Sequence, residues 1–317
     1  MKTCNLTRYA AAFAVAGLFR ARPMLALNNR SWVSTLGSDL NTCSILDPCK
    51  TFQHAHDASI AGGEIDVLNP GDYGPLTINK SITIDGGNMG YILGPSSGLA
   101  IHVAAAIDSR VVLRNLSLTQ VLPTPGLAVY WTSGQVLFLE HLSINGFSQG
   151  ILTSIASPST DFPAPPRMFV NDVILRNCSV FAITANPVVL PNSNVQPTNV
   201  QFTLDHVVIE NAAFGVAMSS GKAQITHSIL SGVSSVAVLA DAIANQSSEI
   251  NVEDTSISYA NIALRAVANS TIRIAGDNIH DNVTALTTSG GQIVSFGDNR
   301  ILGNGGGEVP SSTSPLK

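Results

Sequence analysis

The sequence predicts an all-β fold, a parallel β-helix solenoid, and three observations carry that expectation. An eight-residue pattern recurs: two apolar residues spaced by two, two polar residues, a variable position, then another apolar residue. It reads VVLRNLSL (111–118), LFLEHLSI (137–144), MFVNDVIL (168–175), FTLDHVVI (202–209), AQITHSIL (223–230), INVEDTSI (250–257), IRIAGDNI (272–279) and VSFGDNRI (294–301). Successive copies are 21 to 34 residues apart, so one coil takes about 22 residues and the longer coils carry insertions. Second, position 5 runs Asn115, His141, Asp172, His206, His227, Asp254, Gly276, Asp298, the residue types that tolerate a left-handed backbone. A second turn follows at Gly146, Asn177, Asn211, Gly232, Asp281 and Gly303. Short strands joined by such turns at this period describe a β-helix rather than a leucine-rich repeat, which needs its own Leu/Asn consensus and a helix per turn. Third, of 317 residues only 12% are charged and 6% aromatic, while 45% are apolar. That is a large neutral core under an uncharged polar surface.

The same composition excludes other classes. Disorder needs low hydrophobicity and high charge. A coiled coil needs charged heptad flanks. A net charge of −5 with no Lys/Arg cluster argues against a nucleic-acid partner. No apolar run reaches the ~18–20 residues of a transmembrane span.

Taken in order, the chain opens with Lys2 and Arg8 ahead of the apolar stretch from Tyr9 to Phe19. This reads as a signal peptide over residues 1–26, cleaved near Ala26, and predicts a secreted, periplasmic or cell-surface protein. In such an oxidising compartment Cys43 and Cys49, six residues apart around a Pro-containing turn, form a local disulfide. Cys178 is expected free and buried in the core. Thr51–Ser59 reads as a short helix with Phe52, Ala55 and Ile60 facing inward. The solenoid domain is placed at residues 27–305, with 306–317 as a flexible tail.

GGEIDVLNPGDY (62–73) and LTINKSITIDGG (76–87) follow that helix. Together they resemble the opening of right-handed parallel β-helix proteins of the pectate-lyase-like superfamily, and Trp32–Ser34 with CSILDPCKTF (43–52) resembles a secreted bacterial subgroup of it. The resemblance spans roughly residues 30–305. It implies a right-handed coil and an N-terminal capping helix that covers the open end of the core. Hydrolases of this superfamily carry N-T-D, D-D, G-H-G and R-I-K motifs, and none occurs here. Its lyases need clustered carboxylates for Ca²⁺ and a basic residue at the sugar. The nearest approach to a cluster in the sequence is Glu253, Asp254, Asp277, Asp281 and Asp298, several of them at turns. No cofactor is expected, and Ca²⁺ enters only under a lyase alternative. The histidines of position 5 (His141, His206, His227) are read as turn residues, and no metal site is assigned.

Within each repeat, positions 2 and 4 face outward. Position 4 gives a mixed-charge ladder that includes Arg114, Glu140 and Asp205, and position 2 stacks Phe138 on Phe169. Two Pro-rich insertions, 157–167 and 186–199, rise beside them in consecutive coils, with Tyr130 and Trp131 just before. Either the insertions fold down and bury the phenylalanines, or they wall a sugar-binding groove. The groove would use Arg114, Tyr130, Trp131, Phe138, Glu140, Arg167, Phe169 and Asp205. The leading expectation is a non-enzymatic module that binds a polysaccharide or cell-surface glycan, or is structural. The alternatives are a polysaccharide lyase, hydrolase or epimerase with a non-standard site, and a trimeric fibre.

Overall fold

Each repeat folds into one coil of three short strands, and the coils stack in register. The computed structural model describes residues 27–96, 98–121, 125–155, 164–185, 199–243 and 246–314. The expected signal peptide and most of both Pro-rich insertions (156–163 and 186–198) lie outside the described residues. Stacking produces a 12-stranded first sheet from Asn28–Val33 to Ser312–Thr313, a 10-stranded second sheet from Gly71–Asp72 to Arg300–Ile301, and a nine-stranded third sheet from Leu76–Ile78 to Thr284–Ser289. The neighbouring strands pair in parallel. The fold is a right-handed parallel β-helix with a short N-terminal helix.

Position 1 of the repeat builds one core column: Val111, Leu137, Met168, Phe202, Ala223, Ile250 and Ile272 pair in succession, all buried. Position 5 turns the chain from the first sheet to the second. There the backbone is left-handed at Asn115 (φ 56°), His141 (54°), Asp172 (53°), His206 (52°), His227 (47°), Asp254 (50°) and Gly276 (66°). The second turn is left-handed at Gly146, Asn177, Asn211, Gly232, Asp281 and Gly303, and also at Tyr259 (54°), whose bulk concealed the position in sequence.

The last repeat is a correction. Ile293, not Val294, pairs with Ile272, and Ser295 pairs with Ile274, so Ser295 is inward and half-buried Phe296 is not in the core. The positive φ falls on Gly297, and Asp298 is an extra turn residue before Asn299 restores the register. A one-residue slip reverses every facing because strand side chains alternate.

Position 6 changes character along the solenoid. Leu116, Leu142, Val173 and Val207 give way to Ser228, Thr255, Asp277 and Asn299. Each polar member accepts a hydrogen bond from a backbone N–H of the coil before: Ser228 Oγ from Val207 (3.1 Å), Thr255 Oγ1 from Ser228 (3.3 Å), Asp277 Oδ1 from Thr255 (2.9 Å), Asn299 Oδ1 from Asp277 (2.9 Å). An analogous column after the second turn runs Phe147, Cys178, Ala212, Val233, Ala260, Asn282, Asn304. Cys178 thus occupies an apolar core position; it is free and buried, and burial pushes its thiol up to about 12.

Both ends are covered. The helix Phe52–Ala58, capped by Thr51 Oγ1 accepting from the His54 N–H, buries Phe52, Ala55 and His56, with Phe52 against Tyr73 at 5.2 Å. His56 takes the inward place expected of Ile60, which is half-buried in the strand Ser59–Val67 because the helix ends before it. The disulfide Cys43–Cys49 forms and pins a loop along the edge strand Asn28–Val33, through Trp32 N–H to Cys43 O (2.9 Å) and Cys49 N–H to Trp32 O (3.0 Å). At the other end, part of the stretch expected as a tail adds to the solenoid. Ser312–Thr313 pairs with Gln292–Ser295, and Glu308 Oε1 accepts from the Asn304 N–H at 2.9 Å, ending the asparagine ladder. Among the described residues no helix is long and apolar enough to cross a membrane.

Candidate functional site

The expected site residues separate by face. Tyr130 and Trp131 are adjacent in the strand Leu127–Ser133 and must point to opposite sides. Trp131 is the inward one and a correction to the groove reading. It is wholly buried, flanked in register by Val103 and Thr153, and its indole N–H donates to Ser133 O at 3.0 Å. Tyr130 is outward on the third sheet, stacked on His102 at 5.3 Å.

Arg114, Phe138, Glu140, Arg167, Phe169 and Asp205 share the outer face of the first sheet, held by the register of Arg110–Arg114, Val136–Glu140, Arg167–Asn171 and Gln201–Asp205. Phe138 and Phe169 stack at 4.9 Å with their planes 12° apart, each half-buried. Arg110 lies over Phe138 at 4.3 Å. Such a pair is stabilised by ~0.5–1.5 kcal/mol beyond its buried area, and an exposed cation–π contact by ~0.5–1 kcal/mol. Arg110 was missed in sequence because it stands one residue ahead of the repeat. Arg167 is exposed at the start of its strand, and Gln135 Nε2 donates to Ala164 O (2.9 Å) where the first insertion rejoins the coil.

Below Phe169 the same column continues as Thr203, Gln224, Asn251 and Arg273. Gln224, Asn251, Glu253, Arg273 and Phe296 line a shallow depression of about 280 Å³ there. Glu249, held below the usual carboxylate range first by its hydrogen bond from Arg273, fixes that guanidinium at 3.1 Å.

Two charged candidates are already engaged. Arg114 donates to Asp85 (2.8 Å) and Glu64 (2.8 Å). Asp205 resists ionisation through partial desolvation, but hydrogen bonds from His227, Thr226 and His206 outweigh this and bring it down to about 2.

Glu64, Asp66 and Asp85 do converge, their oxygens within 4.8 Å of one another, because two outward columns meet at the N-terminal end of the sheet. The sequence reading of dispersed carboxylates overlooked this group. Calcium wants six to eight oxygen ligands. Here Arg30 binds Asp66, Arg114 binds Glu64 and Asp85, and Asn115 Nδ2 donates to Asp85 at 2.8 Å. Two guanidiniums occupy the oxygens that a cation would need, so the residues as arranged do not fit Ca²⁺. The other acidic candidates do not converge on one face: Glu253 is outward on the first sheet, Asp254 and Asp281 are at different turns, and Asp277 is buried.

Further stacked aromatics lie outside the repeat pattern. Phe181 and Phe214 stack at 4.9 Å at the start of third-sheet strands, two and three coils past Tyr130.

No protein-family model matches this chain, and no curated protein matches it. Among solved structures, it is similar to the pectate lyase Pel9A at 12% identity and a TM-score of 0.45, over 88% of this chain and 80% of that one. It is also similar to XylC in complex with xylose at 11% identity and a TM-score of 0.39, over 84% of this chain and 65% of that one. The fold assignment rests on the three parallel ladders themselves.

Proposed function

We propose that the chain is an exported, non-catalytic β-helix protein that binds a polysaccharide or cell-surface glycan on the outer face of its first sheet. The observation that carries this reading is the outward Phe138–Phe169 stack with Arg110 over it. Flat apolar rings beside a few hydrogen-bonding groups suit the faces and hydroxyls of sugars, and large aromatics are the side chains on which binding energy concentrates. Thr203, Gln224 and Asn251 extend the column with neutral hydrogen-bonding groups spaced about 4.8 Å apart, a repeat suited to an extended polymer. The disulfide supports an oxidising compartment.

Glycan-array screening tests the reading. Binding to at least one polysaccharide class is expected, weakened tenfold or more (~1.4 kcal/mol) by Phe138→Ala or Phe169→Ala. No binding to any glycan, or binding indifferent to both substitutions, overturns it. The lyase alternative draws on Glu64, Asp66, Asp85 and Arg114. Assay of unsaturated uronide release with and without Ca²⁺ is expected to give no activity, because both arginines stay paired.

A further inference from the structure

Asp205, His206, His227 and Asp254 form a cluster where the first sheet turns into the second. His206 and His227 occupy the same turn position in adjacent coils, both left-handed, and their rings stack at 5.1 Å with planes 21° apart. The Asp205 carboxylate lies between them. His206 Nδ1 is 3.0 Å from Oδ2, and His227 Nδ1 is 2.8 Å from Oδ1. Thr226 Oγ1 donates to Oδ1 at 2.7 Å and fixes the carboxylate's orientation. One ligand atom from each of Asp205, His206 and His227 falls within 4.8 Å of the others.

We propose that Asp205, His206 and His227 form a surface site for a divalent transition-metal ion of the zinc, nickel or copper type, bridging two adjacent coils. Such ions take imidazole nitrogen at about 2.0–2.1 Å and carboxylate oxygen at about 2.0–2.2 Å. Ligand atoms around a tetrahedral ion are then about 3.3–3.5 Å apart, so the nitrogen–oxygen pairs, now at 3.0 and 2.8 Å, have only to open by about half an ångström. Binding displaces the protons that these nitrogens share with the carboxylate, and the two rings, whose donor atoms lie within 4.8 Å of the carboxylate and of each other, close on one ion. With Nδ1 on the ion, His227 carries its proton on Nε2, the nitrogen that faces Asp254 Oδ2 at 3.9 Å. A carboxylate behind a metal-bound histidine usually fills an orienting role. The donor set of two imidazoles and one carboxylate prefers borderline ions over Mg²⁺ or Ca²⁺, which seek oxygen alone. The remaining coordination positions face solvent, since both histidines are exposed. The residue types are still those that the turn favours; what the register adds is that two of them share one carboxylate.

The site is separate from Phe138 and Phe169, so its failure would leave the glycan reading standing. The test is isothermal titration of the full chain, without a histidine tag, with zinc chloride and with magnesium chloride. One zinc per chain is expected, with no magnesium binding. His206→Asn and His227→Asn keep a residue suited to the left-handed turn, and each is expected to weaken zinc binding at least tenfold. His141→Asn, two coils away, is expected to leave it unchanged. On the unsubstituted protein, zinc is expected to shift the ring resonances of His206 and His227 in NMR spectra while His102 and His280 stay put. No zinc heat, or zinc binding that survives both substitutions or leaves both rings unshifted, overturns the proposal.

Discussion

At the scale of single residues, facing decides role. Tyr130 and Trp131 looked alike in sequence, and alternation made one a surface ring and the other core. Trp131→Ala is expected to cost ~3–5 kcal/mol in a denaturant titration, as for a fully buried large aromatic. Under conditions where that variant is folded, glycan affinity is expected to be unchanged. Asp277 is the second case. Its place just after the turn at Gly276 was legible, but its burial was not, because Leu, Val, Ser, Thr and Asn share its column and nothing in the local sequence separates an inward carboxylate from a turn carboxylate. Desolvation pushes it up to about 7, against the lowering effect of the Thr255 and Ala275 N–H groups, with Asp254 and Asp298 adding to the rise. Its Oδ2 has no partner. Between about pH 4, the ordinary carboxyl value, and pH 7 the unfolded chain has released this proton and the folded chain keeps it. Stability therefore falls as pH rises through that window, by up to ~1.4 kcal/mol per pH unit. Thermal melts of Asp277→Asn, which matches Asn299 in the next coil, are expected to flatten that dependence and to exceed the parent protein above pH 7. An unchanged pH profile would show that Asp277 ionises normally.

At the scale of elements, turns and ladders divide the labour. The left-handed turns were readable because Asn, Asp, Gly and His mark them, and Tyr259 escaped because an aromatic does not. The slip in the last repeat escaped because Val294 and Phe296 satisfy the apolar pattern better than Ile293 and Ser295 do; only pairing with Ile272 reveals the true register. The buried polar ladders were invisible as ladders, since their partners are backbone groups one coil away. Asn282 shows what they contribute. It accepts from the Ala260 N–H (2.9 Å) and donates to Ile257 O (3.0 Å) and Asn304 Oδ1 (2.9 Å), at 3% exposure. Asn282→Ala removes the acceptor of the Ala260 N–H and the donor to Ile257 O, at ~1–3 kcal/mol for each buried group left unsatisfied, while Asn304 Oδ1 keeps the backbone N–H of residue 282 at 3.1 Å. Chemical denaturation is expected to show a loss of at least ~2 kcal/mol, and hydrogen exchange is expected to accelerate most at Ala260. A loss within ±0.5 kcal/mol, the size of an ordinary surface change, would mean that these buried hydrogen bonds contribute little to stability.

At the scale of the whole molecule, the period and the outward columns were set by the repeat, so the coil and the shared face of Phe138 and Phe169 could be read directly. What the repeat does not encode is what lies across a corner or between columns: the Arg110 cap on Phe138, the pairing of Glu64, Asp66 and Asp85 with two arginines, and the single carboxylate shared by His206 and His227. Each needs residues far apart in sequence and adjacent only after stacking. The first sheet then presents one long face, with stacked phenylalanines toward the middle, neutral hydrogen-bonding groups beyond them, and most charges paired. The proposed function assigns the binding of a polymer to that face. The most direct measurement is calorimetric titration of an array-selected oligosaccharide into the intact chain and into the Phe138→Ala/Phe169→Ala double variant. Saturable binding lost a hundredfold or more in the double variant, about 2.7 kcal/mol, is the predicted result. Equal affinity in the two proteins would contradict the assignment of this face.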